Sequence, residues 1–152
     1  MRPLLLLALA CALLSGCGPT TVNSLVKEHG AERLVGADLL TLVKGNTLHL
    51  HAYNEEMQLY FDPSGRLYGR DQFADRDAGR WDVIEGGELC LRMDSWWYGD
   101  LRCLEAYRKP SEGRLYLAGG NGVIRFSGVQ SSGDSQSLAG AAKRKEGRQS
   151  LR

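Results

Sequence analysis

Three groups of side chains in this 152-residue chain have types and spacings that suggest chemistry: the pair His49 and His51, the aromatic run Trp96-Trp97-Tyr98, and the aspartates Asp71, Asp75 and Asp77. His-x-His on an extended strand sends both imidazoles to one face, an arrangement able to chelate a metal. A site needs a third ligand, and only His29 and scattered carboxylates are on offer, so a solvated face is expected. With Asn54-Glu55 as a tight loop, His49 lies opposite Tyr60 and His51 opposite Gln58, and Tyr68 falls beside Tyr60. His49, His51, Tyr60 and Tyr68 then make a polar aromatic patch suited to a glycan or a protein partner. The three aspartates alternate with Arg70, Arg76 and Arg80 in a spacing unlike an EF-hand, so mutual neutralisation is expected rather than calcium binding. There is no nucleophile elbow, no glycine-rich loop opening a helix and no defensible carboxylate pair. The chain therefore reads as a binding module rather than an enzyme, with no catalytic residue, metal or cofactor expected.

Trp96, Trp97 and Tyr98 are the most unusual feature. Large amphipathic rings at a hairpin tip supply much contact area at little rotamer cost, so they are candidates for binding a partner. The alternative is that one or two of them fold back to plug the end of the domain.

The amino terminus has its own chemistry. A short basic head, Met1-Arg2-Pro3, precedes an apolar run from Leu4 to Leu14, well under the ~20 residues that span a bilayer. Leu14-Ser15-Gly16-Cys17 follows. It resembles the lipobox of bacterial lipoproteins, which implies a signal peptide at residues 1–16, removal of that segment, and diacylglyceryl and palmitate-type acylation of Cys17. Two or three acyl chains hold a protein firmly in one leaflet. Gly18 stands where an aspartate would mark inner-membrane retention, so the expected location is the periplasmic face of the outer membrane. With Cys11 removed and Cys17 acylated, Cys90 and Cys103 are the remaining cysteines, and an oxidising compartment joins them in one disulfide. Their spacing suits a structural staple and not a Cys-x-x-Cys redox pair.

Charge divides the mature chain. Residues 17–127 hold 13 Lys or Arg against 16 Asp or Glu, and residues 128–152 hold 5 against 2. That tail is rich in Gly, Ser and charge, so a disordered basic tail is expected over 128–152. Five cations are few for a nucleic-acid partner, and none is expected.

These groups need elements to hold them. A lipidated tether is expected over 17–36, then one short helix around 37–43 stopped by Gly45. After it the period changes to two, with turn residues every eight to twelve positions, so residues 37–127 should form a β-domain. Trial hairpins place Leu48, Leu50, Leu59, Phe61, Leu67, Trp81, Val83, Leu89, Leu91, Leu104, Leu115, Leu117, Ile124 and Phe126 on one face. They use loops at Asn54-Glu55, Pro63-Ser64-Gly65, Glu85-Gly86-Gly87 and Gly120-Asn121. About eight strands with one apolar face should curl into a small closed or half-closed up-and-down barrel, mainly β and antiparallel, with a two-sheet sandwich as the alternative. A four-residue loop, Ser95 to Tyr98, sets Cys90 opposite Cys103 on the outer face.

The succession Gly45-Asn46-Thr47-Leu48, Tyr60-Phe61-x-Pro63-x-Gly65, Gly79-x-Trp81, Leu89-Cys90 and Cys103 resembles small periplasmic β-domains of unknown function from proteobacteria. The likeness covers roughly residues 37–127 and implies fold and compartment only. A second likeness, through the disulfide and the Trp-Trp pair, is to the membrane-bound inhibitors of C-type lysozyme. The readings that follow are a non-catalytic binding or accessory module of the cell envelope, and, alternatively, an inhibitor-like or small-ligand-carrying barrel.

Overall fold

The computed structural model describes residues 20–140. The expected signal segment, Cys17 and the last part of the expected basic tail lie outside them. In chain order the elements are α1 (Val22–Lys27), β1 (Glu32–Leu34), α2 (Gly36–Val43), β2 (Asn46–Ala52), β3 (Glu55–Phe61), β4 (Arg66–Asp71), β5 (Arg76–Val83), β6 (Glu88–Met93), a short 3-10 turn (Trp96–Gly99), β7 (Arg102–Lys109), β8 (Arg114–Ala118) and β9 (Ile124–Ser132). Strands β2 to β9 form an antiparallel meander; β9 returns to pair with β2, closing an eight-stranded barrel. β1 is an extra strand beside β7, pairing Glu32 with Arg108 and Leu34 with Ala106.

The barrel closes because a single-faced sheet can hide its apolar side only by curling round it. Leu48, Leu50, Leu59, Phe61, Leu67, Trp81, Leu89, Leu91, Leu104, Leu115, Leu117 and Phe126 all lie in one buried cluster, with Val83 packed at its margin. Each fully buried leucine contributes about 1.5–3 kcal/mol relative to exposure. Met57 and Met93, which the alternation did not single out, fill the same interior.

Two of the four trial hairpins have the expected register. Phe61 faces Leu67 across a loop ending in Gly65, at φ +86°. Trp81 faces Leu91, and Val83 faces Leu89, across Glu85-Gly86-Gly87. The other two slip. Leu48 faces Leu59 and Leu50 faces Met57, so the first loop is Tyr53-Asn54 and not Asn54-Glu55. Gln72 pins that turn from another loop, accepting from the Glu56 N–H at 2.6 Å and donating to the Asn54 carbonyl at 3.1 Å. At the last hairpin Leu117 faces Phe126, Leu115 faces Gly128, and a bulge at Leu117/Ala118 sets Ala118 against Ile124. The bulge turns Ile124 away from the interior and into a second, outer cluster.

That outer cluster corrects the expected tether. Residues from Thr20 onward are part of the fold: Leu25 and Ala31 pack on Tyr107, Tyr116 and Ala118 outside β7 and β8. Thr21 caps α1 by accepting from the Ser24 N–H at 3.3 Å. α2 closes one barrel end, with Leu39 and Val43 in the interior cluster. Asn46 caps its last turn by donating to the carbonyls of Thr41 and Leu42. The expected tail is corrected as well. β9 runs to Ser132, Thr47 donates to the Gly133 carbonyl at 2.7 Å, and Leu138 is buried. Asp134 accepts from the N–H groups of Leu138 and Ala139, so residues 128–140 belong to the domain.

Tyr107 gives the outer cluster a measurable signature. Burial, then its hydrogen bond to Glu105 at 2.7 Å, pushes its hydroxyl pKa up to about 12, against an ordinary value of 10.0. Arg33 holds Glu105 in turn, at 3.0 Å. The native state thus keeps a proton that the unfolded chain loses near pH 10, so this contribution to stability is full below pH 10 and declines as the pH rises toward 12. Urea unfolding across that window should show the decline in the native chain and a shallower one in Tyr107→Phe; equal slopes would contradict this assignment.

Candidate functional site

The turns at 53–54, 72–75, 94–101 and 119–123 gather at the barrel end opposite α2, because alternate strands of a meander end on the same side. Cys90 and Cys103 are paired and disulfide-bonded on the outer wall, as their register sum implied. Fixing residues thirteen apart in sequence contributes roughly 3 kcal/mol in the loop-entropy account, and it clamps the hairpin carrying the aromatic run.

Trp96 and Trp97 fold back over the barrel end, half-buried, the placement named above as the alternative for one or two of these rings. Both pack against the interior cluster. Asp77 points from β5 into this end and accepts from the N–H groups of Ser95 at 2.9 Å and Trp96 at 2.7 Å. The Trp96 ring occupies space left by Gly69: a Cβ built on that glycine would stand 2.6 Å from Trp96 Cζ3. Trp97 lies 6.0 Å from the Phe126 ring, edge-on to Trp96 at 6.4 Å, and under the Arg102 guanidinium at 4.8 Å. Reaching this position puts Trp97 and Tyr98 in the left-handed region, at φ 55° and 60°, a cost that tertiary contacts must offset.

Tyr98 is the member of the run that stays out, 99% exposed. At the same end Tyr53 is 99% exposed and Phe73 82%; neither stood out in the sequence, where single aromatics in turns carry no pattern. Between Phe73, Trp96 and Trp97 on one side and Glu55 and Glu56 on the other lies a cleft of about 240 Å³. Rings beside carboxylates suit a cationic side chain.

The aspartates of this end do not neutralise arginines as expected. Asp71 accepts from the N–H groups of Phe73 and Asp75, at 2.9 and 2.8 Å, and Asp77 holds the tryptophan turn. Among the described residues neither Arg70, Arg76 nor Arg80 forms an ion pair with them.

The second candidate surface is only partly assembled. Tyr60 and Tyr68 stack at 6.4 Å, and Arg66 lies over the Tyr68 ring at 5.9 Å. The histidines keep the same outward face but have other direct partners. His49 sits opposite Gln58, with Nε2 2.8 Å from Ser131 Oγ; His51 sits opposite Glu56, with Nδ1 3.4 Å from its carboxylate. Burial, then Asp62 and Asp134, raises the Tyr60 pKa. Ser131 and Asp134 thus bring the end of β9 and the residues after it beside His49 and Tyr60. Among the described residues no three His, Cys, Asp or Glu side chains gather where a metal could be held.

No protein-family model matches the chain. No curated protein and no solved structure matches it at a significant level. The reading of its function therefore rests on its own residues. The barrel interior holds a continuous cluster of buried side chains, and a cleft of about 630 Å³ lies on the outer wall.

Proposed function

We propose that this chain is a lipid-anchored, non-catalytic binding module of the bacterial cell envelope, acylated at Cys17 and presenting the aromatic barrel end to a partner. The lipobox-like Leu14-Ser15-Gly16-Cys17 carries the anchoring half of this reading. The position of Thr20 supports it, because its carbonyl accepts from the Ile124 N–H at 3.1 Å, at the rim of the aromatic end. Three residues of chain reach about 10 Å at most, so an acylated Cys17 would hold that rim close to the membrane surface.

A second reading, inhibitor-like capture of one cationic protein, is favoured by the cleft in which Phe73, Trp96 and Trp97 face Glu55 and Glu56. It differs from the first in partner and not in chemistry, since neither involves a reaction.

The anchor is tested by Cys17→Ser. Expressed in a bacterial host with radiolabelled palmitate, the native chain should carry label and sediment with membranes, and the variant should lose both. A variant that still takes up label would overturn the lipoprotein reading.

A further inference from the structure

The outer wall of β4, β5 and β6 carries a line of arginines that the aromatic end does not use. Arg66 stands directly opposite Arg80, and Arg80 directly opposite Arg92, so three guanidinium groups cross three neighbouring strands in one row. Directly opposed side chains start only about 5 Å apart at Cβ, and like charges so placed destabilise a sheet. Arg70 and Arg76 repeat the opposition four residues along β4 and β5, beyond the Tyr68–Ala78 pair. A chain whose body is acidic overall thus concentrates positive charge on one face.

At one end of the row Asp62 meets Arg66 across the hairpin, its N–H donating to the Arg66 carbonyl at 3.0 Å and its Oδ1 accepting from the Ser64 N–H and hydroxyl. Among the described residues none of Arg66, Arg80 or Arg92 forms an ion pair, and the one ring contact, Arg66 over Tyr68, leaves the charge in place. The row lines the cleft of about 630 Å³, and the acid in that cleft is Asp82. Asp82 is turned to its own strand, with Oδ1 accepting from the Val83 N–H at 2.8 Å. The lining itself, three cations and one carboxylate, has an excess of positive charge in a cleft large enough for a small ligand. Beside them Leu101, 57% exposed, and the wall at Cys90 give the cleft an apolar flank.

We propose that this cleft binds a dianionic phosphate group, a phosphate monoester or a diphosphate, held by Arg66, Arg80 and Arg92. A monoester carries about −1.5 to −2 charge near neutral pH, which matches the excess. Guanidinium forks also bind phosphate oxygens in pairs, a geometry that a point charge does not offer. The bound anion would relieve the repulsion between opposed arginines, so binding and stability should rise together. The site does not depend on the anchor at Cys17 or on the aromatic end.

Two sources present this chemistry, a free phosphate compound and the headgroup of a lipid, and two probes separate them. Pyrophosphate at low salt should raise the thermal midpoint of the purified chain by several degrees. Vesicles of phosphatidylcholine containing phosphatidic acid, whose headgroup is a monoester, should float the chain better than vesicles with the same fraction of phosphatidylglycerol, whose headgroup is a singly charged diester. A response to pyrophosphate alone assigns the cleft to a free ligand; a response to phosphatidic acid alone assigns it to a headgroup. The triple variant Arg66→Gln, Arg80→Gln, Arg92→Gln should lose either response, while melting at or above the native temperature without ligand. Arg125→Gln, on β9, should respond as the native chain does. Should the triple variant misfold, Arg80→Lys keeps the charge, removes the fork, and should weaken binding by about tenfold. Absence of response to both probes in the native chain, or an undiminished response in the arginine variants, overturns the proposal.

Discussion

Replacing Trp96 and Trp97 together with alanine is expected to lower the unfolding free energy by about 4–6 kcal/mol, taking half-burial to reduce the ~3–5 kcal/mol typical of each buried large aromatic. Both indoles pack on the interior cluster, and Trp97 also meets Phe126 and Arg102. Their removal opens the barrel end and leaves Asp77 holding a turn with nothing to position. A small domain has about 5–15 kcal/mol in total, so the double variant should unfold at far lower urea with an unchanged slope. Tyr98→Ala, at a ring that is 99% exposed, should change stability by no more than about 0.5 kcal/mol. The contrast separates a plug from a contact surface: a double variant as stable as the native chain would mean that the tryptophans stand free.

Gly128→Ala should be nearly as damaging, by about 3–4 kcal/mol, at the upper end of overpacking costs. Gly128 lies where β9 meets both β2 and β8, opposite Leu50 and Leu115. A Cβ built there would stand 1.9 Å from the His49 carbonyl oxygen and 3.1 Å from Leu50 Cα. The obstacle is backbone, which cannot rotate aside as a side chain could, so the seam that closes the barrel must part. Gly120→Ala is the comparison, since nothing lies within 4 Å of its added methyl and its effect should stay within about 0.5 kcal/mol. Calorimetry showing equal midpoints for the two variants would remove the close approach as the explanation for a glycine in this strand.

The two candidate surfaces were legible to different degrees. A run of three aromatics on a disulfide-clamped hairpin is visible as residue types, but whether a ring turns inward depends on the hole it finds. That hole is made by Gly69, on a strand more than twenty residues earlier. Glycines at inward positions of β4 and β5, Gly69 and Gly79, were the available signal, since a glycine inside a strand often marks close approach. The histidine and tyrosine patch was rearranged for a simpler reason. A two-residue slip in the β2–β3 register moved Tyr60 from His49 to Thr47. The arginine row was hidden in the same way, because it exists only once the registers of three strands are aligned.

By itself the sequence determined an antiparallel meander with one apolar face, the identity of almost every inward residue and the cysteine pairing, while the β9–β2 pairing of the structure decided that the meander closes into a barrel. The reason is parity: alternation assigns each residue to a face, and slipping a hairpin by two residues changes its partners without changing its face. Thus Leu48, Leu50, Leu59 and Phe61 stayed inside although their pairings were different. Tertiary structure alone decided the registers of the first and last hairpins and the fate of Ile124. Those turns are held from outside themselves, the first by Gln72 and the last by the segment from Thr20 to Val22. It also decided the ordering of residues 20–36 and 128–140. Their few apolar groups, such as Leu25 and Leu138, find burial only on a surface that the finished barrel provides, and no local pattern in either segment encodes that surface.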